Sequence, residues 1–221
     1  VRQFEPGTVN HARDVVIDAS QNKAYVSATF EPEVVVFDTA RPEVARRIAI
    51  TSAARGGRFS AASLSMNPTA HRLYVVSNST NEVAVIDTRT DTVLKVMPVP
   101  GARGAIGVSH DPQTGRIFVA AQGTDNVVVL DGESGAVIAD TPVGAGALNV
   151  AFDPVSRQAF VANRGSSTIA VVNADGRLVA NFGGAPQANH VAAGARGVFY
   201  AVTKGGDQDD ANTVWRIQPR R

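Results

Sequence analysis

Ser109-His110-Asp111 offers a nucleophile, a base and an orienting acid in three consecutive residues, the trio that a serine hydrolase uses. Neighbours in a strand point to opposite faces, however, so the three side chains cannot line up as a proton relay. Gly107-Val108-Ser109-His110-Asp111 also lacks the closing glycine of a nucleophile elbow, and no helix follows it. The trio reads instead as a turn residue beside a surface histidine. A calcium-type site would need several carboxylates converging as oxygen ligands. At one recurring inner-strand position the chain supplies Asp14, with Ser63, Gly107, Asn149 and Asn189 as the counterparts, a set suited to hydrogen bonding and poor as a metal cage. Asp207-Gln208-Asp209-Asp210 has neither the glycine nor the terminal Glu of an EF-hand loop, so it reads as a solvated acidic loop. Gly144-Ala145-Gly146-Ala147 lacks the third glycine and the helix of a phosphate cradle, and reads as a connector. Asn78-Ser79-Thr80 matches a glycosylation acceptor pattern and carries no weight here. With no cysteine, disulfides, thiolate catalysis, Cys-ligated zinc and covalent haem attachment are excluded. No catalytic residue, metal or cofactor is expected.

The remaining chemistry is binding. His11, Arg13, Arg58, Arg103, Arg164 and His190 fall at loop positions together with the amides Asn149 and Asn189, and these eight form the expected ligand-binding set. Arg55 and Lys204 add charge, Phe30 and Phe59 offer aromatic faces, and Asn78, Gln122 and Asn126 offer amides. Cations interleaved with aromatics suit phosphates and stacked bases of a single strand, or a protein partner. The alternative is internal pairing with Asp14, Glu31, Glu33 and Asp125. Lys plus Arg number 21 against 20 Asp plus Glu, so any attraction to a polyanion must come from such a local patch.

The elements that position these residues are repeats. Tyr25-Val26, Tyr74-Val75, Phe118-Val119, Phe160-Val161 and Tyr200-Ala201 recur at intervals of 40 to 49 residues, the length of a propeller blade. Seven residues before the first four aromatics stand Asp18, Asn67, Asp111 and Asp153, three of them followed by proline; the fifth unit has Ala193 there. An Asx side chain bonds its own backbone two residues on, and proline presets the turn, so each marks a hairpin. Behind each aromatic comes an apolar run such as Val34-Val35-Val36-Phe37-Asp38 or Val127-Val128-Val129-Leu130-Asp131, and the terminal aspartates Asp38, Asp87 and Asp131 read as structural caps. The expected fold is therefore an all-β propeller of four-stranded antiparallel blades, one domain over 1–221, with repeats at about 8–50, 58–98, 103–141, 146–184 and 188–218. Residues 1–7 read as a lone fourth strand able to close the ring on the last unit.

Arg72 to Asn78 with Asn81 to Thr88, and Gln158 to Asn163 with Ile169 to Asn173, resemble the repeat of the YVTN family of bacterial β-propellers. The ending, an acidic insertion before Val214-Trp215-Arg216-Ile217, is similar to that of the family's periplasmic seven-bladed branch. The resemblance implies a periplasmic or secreted protein. Regular repeats with no assembled catalytic set lead to the expectation of a non-catalytic scaffold binding protein or single-stranded DNA through its basic loop face. A metal-dependent lactonase or hydrolase built on Asp14, Asn149 and Asn189 is the alternative. Five units against seven leaves either a five-bladed ring or the C-terminal five blades of a larger one, and the leading Val1 and lone strand favour the second. No apolar run reaches the length of a membrane span.

Overall fold

In the computed structural model, residues 3–194, 197–205 and 212–218 are described. The fold is all-β, with no α-helix among these residues, and its strands form five antiparallel meanders, the blades of a β-propeller. Two compact units hold them, 1–98 and 99–221.

The first unit carries β1 (Ala12–Asp18), β2 (Lys23–Ala28), β3 (Glu33–Asp38) and β4 (Glu43–Ala49) in one sheet. The second sheet holds β5 (Ala61–Asn67), β6 (Arg72–Ser77), β7 (Glu82–Asp87) and β8 (Thr92–Pro98). Tyr25, Val34 and Val36 of the first sheet meet Leu64, Leu73, Val75, Ala84 and Ile86 of the second in one apolar cluster. Each such side chain contributes roughly 1.5–3 kcal/mol when fully buried.

The second unit carries β9 (Ala105–His110), β10 (Arg116–Ala121), β11 (Asn126–Asp131) and β12 (Val137–Pro142), then β13 (Ala147–Asp153), β14 (Gln158–Asn163), β15 (Thr168–Asn173) and β16 (Leu178–Gly183). A last sheet of three described strands follows: β17 (Ala188–Ala193), β18 (Phe199–Thr203) and β19 (Val214–Ile217). The middle sheet of this unit shows why the Val-rich runs do not alternate with polar residues. Ala159, Val161, Ala170 and Val172 pack toward β9–β12, while Phe160, Ala162, Ile169 and Val171 pack toward β17–β19. A strand covered on both faces needs apolar residues at every position. The fourth strands, covered on neither side to the same degree, are largely exposed.

The Asx residues cap the hairpins as their spacing requires. Asp18 Oδ1 accepts from the Ser20 N–H at 3.1 Å, Asp111 Oδ1 from Gln113 at 2.9 Å, and Asp131 Oδ1 from Ser134 at 2.7 Å. Asp38 and Asp87 cap the third-to-fourth turns in the same way, toward Ala40 and Arg89. In Asp18 burial works to raise the pKa, but the hydrogen bonds from Ser20 and Gln21 outweigh it and hold the carboxyl below its usual range. Polar links tie neighbouring sheets at these turns. Lys23 Nζ donates to Thr88 O at 2.7 Å and pairs with Asp91 at 2.9 Å, and Arg116 donates to Ala174 O and Asp175 at 2.7 Å each.

Gln3 to Glu5, expected as part of a leading strand, have no regular secondary structure, and the Phe4 ring packs edge-on against Phe37 at 4.8 Å. Residues 1–2 and the acidic run 207–210 lie outside the described residues.

Candidate functional site

Five hairpins linking second to third strands meet the loops that enter the first strands, and one backbone bridge recurs at each meeting. Thr29 N donates to His11 O, Asn78 N to Ser60 O, Gln122 N to Gly104 O, Arg164 N to Gly146 O and Lys204 N to Gln187 O, at 2.9–3.3 Å. The bridge places Thr29, Asn78, Gln122, Arg164 and Lys204 at equivalent positions at one end of their blades. His11, Gly104, Gly146 and Gln187 adopt left-handed φ values of 47–70° to turn the chain into the inner strand. At Gly146 a Cβ would come within 2.8 Å of Gly165 N, so the connector read in Gly144-Ala145-Gly146 is packed against the opposing hairpin.

In the first unit a cavity of about 260 Å³ is lined by Phe30, Arg58, Phe59, Ser60, Asn78 and Ser79. Phe30 has a left-handed φ of 72°, rare for a bulky residue. The cause is Pro32. In the matching four-residue hairpins the fourth position is Asn81, Asp125 or Ser167, with φ of 53–56°. Proline is fixed near −65° and cannot take that conformation. The turn is therefore rebuilt with a bond from Glu31 N to Ala28 O and with Phe30 at the left-handed corner. The consequence is an aromatic ring held outward, 63% exposed, with the His11 ring edge-on at 5.4 Å and its N–H anchored on Ser60 Oγ at 3.0 Å. Arg58 pairs with Glu31 at 2.8 Å, the internal pairing that the sequence left open. Phe59 is fully buried, its ring part of the apolar cluster between the two sheets. Arg13 is exposed on β1, where desolvation lowers its guanidinium pKa and neighbouring Asp14 opposes the shift.

In the second unit a polar cleft of about 470 Å³ is lined by Gln122, Gly146, Arg164, Gly165, Ser167 and Gln187. Asp125, three residues after Gln122, accepts the Gly146 N–H at 2.7 Å. Arg103 is exposed beside the Gln122 hairpin, where its carbonyl accepts from Gly123 N and its N–H donates to Thr124 Oγ1. Among the described residues neither Arg103 nor Arg164 has a carboxylate partner.

The inner-strand polar residues serve another purpose. Asp14 Oδ1 accepts from Val15 N and Oδ2 from Leu64 N on the adjoining sheet, both at 2.9 Å. Asn149 Oδ1 accepts from Val191 N at 2.9 Å, the same bond between the fourth and fifth sheets. Gly107 leaves this position empty, and a Cβ there would stand 2.9 Å from Asn149 Cα. The fifth counterpart is His190 and not Asn189. His190 pairs with Val202 as Asn149 pairs with Ala162, because the β17–β18 turn is one residue shorter than the others; Asn189 falls in the bulge before it. Asn126 likewise turns inward, donating to Asp140 and to Gly101 O. Ser109 Oγ is occupied by the Phe152 N–H at 3.0 Å, and burial lowers the His110 pKa to about 4 with Asp111 opposing.

No known family model matches this sequence, and no curated protein does. The fold has solved counterparts. A chain of Kuenenia stuttgartiensis hydrazine synthase superposes with a TM-score of 0.77 at 17% identity, over 99% of this chain and 67% of that one. A chain of a nidogen/laminin complex gives 0.69 at 15% identity, over 88% and 73%. The fold is a five-bladed β-propeller. At this identity the likeness concerns the fold alone.

Proposed function

We propose that this chain is a non-catalytic binding propeller that engages single-stranded nucleic acid, or a protein presenting similar anionic chemistry, through the hairpins at one end of its blades. The observation that carries the reading is the cleft around Arg164, where a guanidinium with no carboxylate partner among the described residues lies among the amides of Gln122 and Gln187 and the Ser167 hydroxyl. An arginine fork of this kind suits phosphate or carboxylate oxygens, and amides fix their orientation. The exposed Phe30 ring supports the same reading from the other unit, since a base stacks on an aromatic face irrespective of sequence. The metal-dependent hydrolase alternative fares worse, because both oxygens of Asp14 are committed to backbone N–H groups. The YVTN-type repeat, and with it a periplasmic or secreted location, belongs to this proposal and rests on the sequence resemblance.

The test is fluorescence anisotropy of a labelled oligothymidylate at two salt concentrations, with wild type and with Arg103→Ala plus Arg164→Ala. Binding that weakens in the double variant, with a salt slope shallower by about 0.7 for each phosphate no longer neutralised, supports the assignment. Equal affinity in both proteins overturns it.

A further inference from the structure

The fourth strand of each four-stranded sheet pairs on one side only, so its outer backbone N–H and C=O groups form an open edge. Three of the four such strands carry charge or proline, which discourage a further strand from pairing there. β4 has Glu43, Arg46 and Arg47, β8 has Lys95 and Pro98, and β12 has Asp140 and Pro142. β16, Leu178-Val179-Ala180-Asn181-Phe182-Gly183, has neither. Its sheet is flanked by β9–β12 and β17–β19 of the same unit, yet Val179 is 43% exposed and Phe182 44%. The register makes the contrast specific. Asn181 pairs with Ala170 as Arg47 pairs with Val35 and Asp140 with Val128, so it stands uncharged where two sister blades hold a charge.

We propose that β16 is a dimerisation edge, pairing antiparallel with β16 of a second copy about a twofold axis through Asn181. The strand is self-complementary in that register. Phe182 of each copy lies beside Ala180 of the other, and Val179 falls opposite Gly183, so each large side chain meets a small one. A Cβ at Gly183 would meet nothing within 4 Å, which leaves room for the Val179 side chain. The two Asn181 amides face each other on the axis, each with donors and an acceptor to exchange. Moving the axis to Ala180 would draw the bulge beside Leu178 into the ladder, and a one-residue slip would set opposite faces against each other. Identical strands make the contact isologous, so association stops at two copies.

Light scattering coupled to size exclusion tests this with Asn181→Arg and Asn181→Asp, which copy the residues that β4 and β12 carry at the same position, each checked for a native circular dichroism spectrum. The wild type is expected to double in mass as concentration rises. Each variant alone sets like charges opposite each other on the axis and is expected to stay a monomer. Their equimolar mixture pairs opposite charges and is expected to regain the dimer. Phe182→Thr, which copies Thr141 at the equivalent position of β12, is expected to raise the dimer Kd at least about tenfold through the lost rings. A wild type that is monomeric at the highest concentration overturns the proposal. So do dimers that persist in either charged variant alone, a mixture that stays monomeric, or an unchanged Kd in Phe182→Thr.

Discussion

Replacing Asp14 separates a structural carboxylate from a ligand for a metal or substrate. Its Oδ2 is the partner of the Leu64 N–H, whose residue is only 6% exposed, and Oδ1 holds Val15 N. In Asp14→Ala the buried Leu64 donor loses its acceptor, which costs about 1–3 kcal/mol. With a urea m-value of about 3 kcal/mol/M, the unfolding midpoint falls by roughly 0.3–1 M. Asp14→Asn keeps an oxygen in place, as Asn149 does for Val191, so its stability is expected within about 0.5 kcal/mol of wild type. The assay is urea unfolding followed by circular dichroism. If Asp14→Asn destabilises as much as Asp14→Ala, negative charge and not an acceptor oxygen is what the position supplies, and the inter-sheet role is wrong. A neutral Asp14→Ala refutes it as well.

Other substitutions test the packing around it. Gly107→Ala drives a Cβ to 2.9–3.1 Å from the Asn149 and Leu148–Val150 backbone, which no rotamer relieves, and a loss of about 1–3 kcal/mol is expected by thermal or urea unfolding. Tyr25→Phe removes the buried hydroxyl that donates to Asp91 at 2.7 Å; because Lys23 still serves Asp91, the expected loss is about 1–2 kcal/mol, read from the same curves. His110 is kept neutral by burial, with a pKa near 4 when folded. The unfolded chain takes up its proton near 6.5 and the folded one does not, so stability is full above pH 6.5 and declines as pH falls toward 4. His110→Gln is expected to flatten that decline in midpoints measured across the window, and an unchanged slope contradicts the assignment.

The blade architecture was legible because its determinants are local and repeated. An Asx cap, an aromatic seven residues on and a β-branched run are sufficient to place each hairpin, and Asp18, Asp111 and Asp153 act as their spacing implies. The site was legible only as a collection of charges. Whether Arg58 meets Glu31 or a ligand depends on which side chains fold beside each other, and the sequence held both options open. Counting back from the aromatic selected Asn189 because the four earlier turns share one length; the shorter fifth turn shifts the position to His190. The role of Phe30 was hidden for a related reason. Its outward ring follows from proline two residues later, a signal visible only when the first four hairpins are aligned on their left-handed position. Glu82 carries no signal in the sequence, although its buried carboxylate accepts from Ala53 N, Ala54 N, Ser52 and Thr80 and so organises the loop before β5.

Hydrogen–deuterium exchange with and without oligothymidylate addresses the binding face most directly. Slowed exchange is expected in the hairpins Gln122–Asp125 and Arg164–Ser167, with no change in the turns around Asp111 and Asp153 at the other end of the same sheets. Protection at those Asx turns, or at neither end, would contradict it.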